Sequence, residues 1–267
     1  MDWAKAKNIL IAVFLLLNIF LFSTIVYTSS TLRFQSDYTR NAYEYLQSRD
    51  IQIDTKIPDT TGQVGKMVYD RKNFDFSYLT RYVFGNEVNQ SISGDSILYS
   101  EGNEKIELVV DSLYIRDKLE DGLTLFSDSK TFSQKLYNYL DDIGYSRGKL
   151  SLQSQDETDH GKQMVFVLKH KKGLLFNQTI TATIDAEGFL NLSIPAWEVK
   201  RTNDPSEIIS AYQVLVMSGL PNGSILKSVD FGYRQIVAGE LYDTPVWRVI
   251  LSDGAIYFYN AYTGEEL

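Results

Sequence analysis

Residues 131–144 read TFSQKLYNYLDDIG, and the fold turns on how that stretch is understood. Phe132, Leu136, Tyr139, Leu140 and Ile143 recur at three- and four-residue spacing, which places them on one face of a helix. Thr131 stands where it can cap that helix with Gln134 three residues on, and Gly144 stands where it can close it. About 75 residues later the same plan returns in DPSEIISAYQVLVMSG, residues 204–219. There Asp204 reads as the cap, Pro205 as the first helical residue and Glu207 as the partner in a capping box. Ile208, Ala211, Tyr212 and Leu215 form the apolar face, and Gly219 ends it.

Working outward, the strands that follow each helix come in the same order. Lys149–Gln155 corresponds to Ser224–Phe231, Gln163–Lys169 to Pro245–Leu251, and the turn DAEG at Asp185–Gly188 to NAYTG at Asn260–Gly264. The pattern predicts an α+β protein with two similar units, 126–200 and 201–267, each a helix packed on a three- or four-stranded antiparallel sheet. A membrane-proximal region, 28–125, precedes them. Within it Gln35–Asp50 carries Tyr38, Ala42, Tyr45 and Leu46 at helical spacing and reads as an amphipathic stalk, with Pro58 and Gly62 ending that part. Lys66–Tyr69 reads as a short strand and Tyr78–Phe84 as a helix stopped by Gly85. SILYS, IELVV and LYIR, between Ser96 and Arg116, read as an antiparallel meander with turns at EGNE and DS.

The chain opens MDWAKAKNILIAVFLLLNIFLFSTIVYTSS. From Ile9 to Val26 it is almost wholly apolar, and as a helix it measures roughly 27 Å, enough to span a hydrocarbon core of about 30 Å. Tyr27–Ser30 offers no small-x-small cleavage site, so an uncleaved transmembrane helix over 9–27 is expected rather than a signal peptide. Lys5 and Lys7 precede the run and no basic residue follows until Arg33, which makes 1–8 a cytoplasmic tail and puts the rest of this single-pass chain outside the cell membrane. Asn18 interrupts the apolar run. Its amide either meets another helix or bonds back to its own helix or to water. Phe14, Leu15, Leu21 and Phe22 lie on its face at offsets of three or four, so these five residues are the candidate partner-binding set.

The 267 residues carry a net charge of −8, and the part beyond the apolar run is more acidic still, since Lys5 and Lys7 but only Asp2 precede it. An acidic domain argues against nucleic acid as a partner. With no cysteine, its stability must come from an ordinary hydrophobic core. Catalytic motifs are missing from the pattern. His160 and His170 have no second His or Cys at ligand spacing, so no metal is expected. Gly144–Gly148 matches G-x-S-x-G, but a helix precedes it and a strand follows, the reverse of a nucleophile elbow. Asp141 and Asp142 read as solvated surface beside Arg147. No GxGxxG, P-loop or EF-hand occurs, and no cofactor or catalytic residue is expected. The 18 tyrosines could line a carbohydrate or peptide groove, although pairs such as Tyr257 and Tyr259 more simply form one face of a sheet.

The opening block MDWAKAKNILIAVFLLLNIFLF, the single N-terminal span, the extracytoplasmic α+β region and the terminal YNAYTGEEL together resemble the YycI (WalI) family. The closing strands PVWRVILSDGAIYFYNAYTGEEL also resemble a PepSY-like unit, with Asn260, Ala261 and an inserted Tyr262 where that pattern has Asp-Ala. The first resemblance implies a non-enzymatic regulator that, with a YycH-like single-span protein, binds the WalK-like sensor histidine kinase of the WalK/WalR (YycG/YycF) two-component system and tunes cell-wall metabolism in Gram-positive bacteria. It also implies that the membrane helix carries much of that contact. The alternative is an extracellular PepSY-like module that binds or inhibits a wall or secreted protein.

Overall fold

A computed structural model describes residues 3–94, 96–158, 161–237, 240 and 242–267. It opens with α1, Trp3–Ser48, an unbroken helix of 46 residues and so about 69 Å long. Then come β1 (Gln52–Ile53), β2 (Gly62–Arg71), α2 (Phe76–Phe84), β3 (Ser91–Ser93), β4 (Ser96–Glu101), β5 (Glu104–Leu108) and β6 (Ser112–Lys118). α3 (Gly122–Ser127) and α4 (Ser129–Asp142) lead into β7 (Leu150–Thr158), β8 (Gly161–His170), β9 (Gly173–Ile184), β10 (Phe189–Pro195) and β11 (Trp197–Ile208). The chain closes with α5 (Ala211–Met217), β12 (Ile225–Arg234), β13 (Tyr242–Leu251) and β14 (Ile256–Asn260).

The strands join in one 14-stranded sheet whose main path runs β11-β2-β13-β12-β9-β10-β6-β5-β4-β3. Most pairings are antiparallel, as the meanders predict. The join between the two expected units is instead parallel, Gly232 and Tyr233 of β12 beside Leu174 and Leu175 of β9. The expected boundaries at 125/126 and 200/201 fall inside α3 and β11. At the fork, one side of β9 pairs first with β12, at Leu174–Leu175, and then with β10 from Thr181. Between those points its edge has no strand beside it among the described residues.

Two apolar clusters fill the faces of this sheet. In the first, α4 lays Phe132, Leu136, Tyr139 and Leu140 against Met164, Phe166, Ile180 and Ala182, with α2 and β4–β6 completing it. In the second, α5 lays Ala211, Val214 and Leu215 against Trp247, Val249 and Tyr259, and the end of α1 adds Leu46. The expected apolar face of 131–143 is thus the buried one. Its cap differs, because Asp128, not Thr131, accepts the Lys130 N–H at 3.0 Å, and Thr131 donates its hydroxyl to the same carboxylate. Gly144 does close the helix, at φ 95°.

The second helix departs further from expectation. Asp204, Pro205 and Glu207 lie in β11, and the helix begins at Ala211 behind Ser210. Ser210 and Gln213 form the capping box: the Gln213 N–H reaches Ser210 Oγ at 3.2 Å, and the Ser210 N–H reaches Gln213 Oε1 at 2.8 Å. Asp204 (φ 49°) and Pro205 occupy a bulge where β11 shifts register against β2 between Asn203 and Ser206. A proline cannot donate to a ladder and so belongs at a bulge as readily as at a helix start. Gly65 sits opposite, where a Cβ would come within 2.6 Å of the Asn203 carbonyl. The paired turns, by contrast, share their chemistry. Asp185 Oδ1 accepts the N–H of Glu187 and Asn260 Oδ1 that of Tyr262, each two residues on, and Gly188 and Gly264 follow at φ 83° and 79°.

The smaller elements match their patterns. α2 is capped by Asp75, whose side chain accepts the Tyr78 N–H, and is closed by Gly85 at φ 75°. β4, β5 and β6 form the expected meander. The expected strand at Lys66–Tyr69 is the middle of the longer β2. In the stalk Ala42 and Leu46 are buried, whereas Tyr45 is exposed.

Candidate functional site

Phe14, Leu15, Asn18, Leu21 and Phe22 lie on α1, and all five are exposed. Asn18 Nδ2 donates to the Phe14 carbonyl at 2.9 Å, one turn back, as Thr24 Oγ1 does to Phe20. The amide's own helix therefore takes one of its protons. An asparagine has a second N–H and an acceptor oxygen to place elsewhere. Among the described residues no helix is long and apolar enough to cross a membrane. The expected span lies only partly among the described side chains, since Ile9 and residues 25–27 fall outside them. From Leu10 to Thr24 the side chains of α1 are exposed all round.

The other end of α1 is held firmly. Leu46 is fully buried in the second cluster, and Arg49 donates to the Leu220 and Ser218 carbonyls and to Asn222 Oδ1, just beyond α5. Three acceptors on one guanidinium fix the helix's direction against the sheet.

A second feature has no motif to announce it. Where β9 and β10 part, a cleft of about 550 Å³ opens between β2, β9, β10 and the starts of β6, β11 and β13. Three aromatic side chains stand on its walls, and a carboxylate holds the polar edge of each. Trp197 Nε1 donates to Asp111 Oδ1 at 3.2 Å, Tyr242 OH to Glu240 Oε1 at 2.7 Å, and Tyr69 OH to Asp243 Oδ2 at 2.6 Å. Asp243 is buried, and desolvation raises its pKa despite the Tyr69 hydroxyl, which works the other way. Burial, followed by the nearby Asp243 charge, raises that of Tyr69 in turn. Asn177, Gln178, Thr179, Thr181, Ser112, Ser193 and Gln235 supply amides and hydroxyls. The sequence could not reveal this site, because its residues come from six strands and two connections and meet only in the tertiary structure.

Tyr69 and Trp197 also line a smaller pocket of about 230 Å³, where Lys72, Lys149, Lys169 and His170 gather with one carboxylate, Glu198. Lys72 Nζ sits 3.6 Å from the centroid of the Tyr145 ring. Burial, aided by Lys149 and opposed by Glu198, lowers its pKa to about 8. Burial and then Lys171 and Lys149 lower that of His170. His160 lies outside the described residues. Ser146 of the G-x-S-x-G stretch precedes a short 3₁₀ turn, Arg147–Lys149, that runs into β7, so the strand–Ser–helix order of a nucleophile elbow is absent there.

An α+β chain with one large sheet, two helix-covered clusters and a long exposed apolar helix is the class of protein defined so far. Residues 29–262 match the YycI protein family, and the chain belongs to that family, which is associated with two-component regulation. Among solved structures it is similar to the Bacillus megaterium YpeB C-terminal domain, at 13% identity over 74% of this chain and 96% of that one, with a TM-score of 0.49. Comparison with curated proteins finds no match.

Proposed function

We propose that this chain is a membrane-anchored, non-enzymatic regulator of two-component signalling that governs cell-wall metabolism. Residues 9–27 cross the cell membrane with the N-terminus in the cytoplasm and the α+β region outside. Phe14, Leu15, Asn18, Leu21 and Phe22 face a sensor histidine kinase of the WalK type and a YycH-like single-span protein. The observation that carries this reading is α1 itself. From Leu10 to Thr24 it is apolar and exposed on every side, which is stable only in an apolar surrounding, and the same helix runs unbroken into the core at Leu46.

Membership of the YycI family supports the regulatory role. The physics of the helix supports the contact, because the remaining amide groups of Asn18 are best satisfied in hydrocarbon by a neighbouring helix, at roughly 0.6–2 kcal/mol. Such a contact changes kinase output only by the difference in its strength between two kinase states. Since 1.4 kcal/mol is tenfold, the whole of that bond amounts to about a 3- to 30-fold shift.

The test is photo-crosslinking in cells from Phe14, Asn18 and Phe22, with Ile11 and Ile25 for comparison, together with Asn18→Leu. Capture of a histidine kinase or a second single-span protein from one face, weakened by Asn18→Leu, is the expected result. Unchanged capture and kinase output at equal protein level would show that Asn18 is satisfied by the Phe14 carbonyl alone and that this face is not the interface.

A further inference from the structure

We propose that the cleft at the fork of the sheet is a binding site for a short, uncharged oligosaccharide, gripped by Trp197, Tyr242 and Tyr69. This inference stands independently of what α1 contacts. The volume, about 550 Å³, is that of a ligand pocket. The polar edge of each ring is held by a carboxylate, Trp197 by Asp111, Tyr242 by Glu240 and Tyr69 by Asp243, and Tyr69 also packs against the second apolar cluster. A ring tethered in this way keeps its orientation without using its face, and an aromatic face is what the C–H side of a pyranose packs against. Lys66 Nζ, 4.3 Å from the Tyr242 centroid, takes one face of that ring and further fixes its tilt.

The remaining wall fits the equatorial hydroxyls of a sugar, each of which both donates and accepts. Amides come from Asn177 and Gln235, and hydroxyls from Ser112, Thr179, Thr181 and Ser193. Gln178 on the same wall buries its carboxamide oxygen with no donor among the described residues. Charge narrows the ligand further. Asp111, Glu240 and Asp243 line the cleft and no Lys, Arg or His does among the described residues, so an anionic ligand is disfavoured.

An extended peptide is a poorer fit. The unpaired edge of β9 is confined between Leu175 and Thr181, and the Gln235 N–H already bonds Asn177 Oδ1 there at 3.1 Å. That leaves too little ladder for strand addition.

The experiment uses the full chain in a detergent without a sugar headgroup, titrated calorimetrically with chitotetraose, maltotetraose and, separately, tetraglycine. At least one of the oligosaccharides binds, and Trp197→Ala weakens it by about tenfold or more, the loss of one stacking face. Asp111→Ala, which frees the indole edge but keeps the ring, weakens it severalfold, and near-UV circular dichroism verifies that both variants remain folded. Failure of both oligosaccharides at millimolar concentration overturns the proposal. So does undiminished saccharide binding by folded Trp197→Ala, and so does binding of tetraglycine in place of the sugars.

Discussion

Asp117 in β6 offers the sharpest test of the energetics. It is 6% exposed, and its Oδ2 accepts the hydroxyl of buried Tyr139 at 2.7 Å. Desolvation raises its pKa from the ordinary 3.8 to about 6, with the Tyr139 hydrogen bond opposing and nearby Glu104 assisting. The native state therefore holds this proton more tightly than the unfolded chain does. Its contribution to stability is fully present below about pH 4 and is lost as pH climbs to about 6, so above that the fold carries a penalised carboxylate. At 1.36 kcal/mol per pH unit the ceiling is about 3 kcal/mol, and partial solvent screening reduces the expected penalty to about 1–2 kcal/mol. Asp117→Asn keeps an acceptor for Tyr139 and removes the charge. Urea unfolding of the full chain in micelles, followed by near-UV circular dichroism from pH 4 to 8, should show the variant more stable than wild type by about 1–2 kcal/mol at pH 7–8 and equal to it near pH 4. Because other carboxylates, Asp70, Asp128 and Asp185 among them, are held below their usual range and tilt the curve the other way, the difference between the two proteins is the quantity to read. A flat difference across that range, or one that favours wild type at high pH, would refute the reasoning.

Leu46→Ala, at a fully buried position where α1 meets α5, should cost about 2–5 kcal/mol by urea unfolding, whereas Tyr45→Ala one residue away, exposed, should change stability by under about 0.5 kcal/mol. Arg248 is buried and donates twice to Asp230 Oδ2, at 2.7 and 3.1 Å, and once to Gln153 at 2.7 Å. Asp230→Ala strands that charge and should cost about 3–5 kcal/mol, while the double variant Asp230→Ala/Arg248→Met should recover most of the loss in the same assay.

Local patterns read well where one physical cause acts alone. The face of α4 was legible because Phe132, Leu136, Tyr139 and Leu140 recur on one side of it at helical spacing, and the meander from β4 to β6 was legible because its β-branched runs are cut by turn residues. The turns at Asp185 and Asn260 are likewise local, each made by one side chain bonding the backbone two residues on. The misreading of 204–210 has an equally local cause. Asp-Pro-x-Glu satisfies the rules for a helix start and for a bulged strand alike, and the choice was made by β2, whose residues Gly62–Val68 supply partners to β11 that a helix would forgo.

Sequence by itself therefore determined the helices with a single apolar stripe, the antiparallel meanders, the continuous apolar stretch of α1 and the lack of disulfides, all set by neighbours a few residues apart. Only the tertiary structure decided that the strands share one sheet, that β9 forks between β12 and β10, and that Tyr69, Asp111, Trp197, Tyr242 and Asp243 surround one cleft. The reason is that pairing between strands and the meeting of side chains far apart in the chain depend on which backbone edges and apolar faces can be satisfied together, and no short stretch of sequence contains that information.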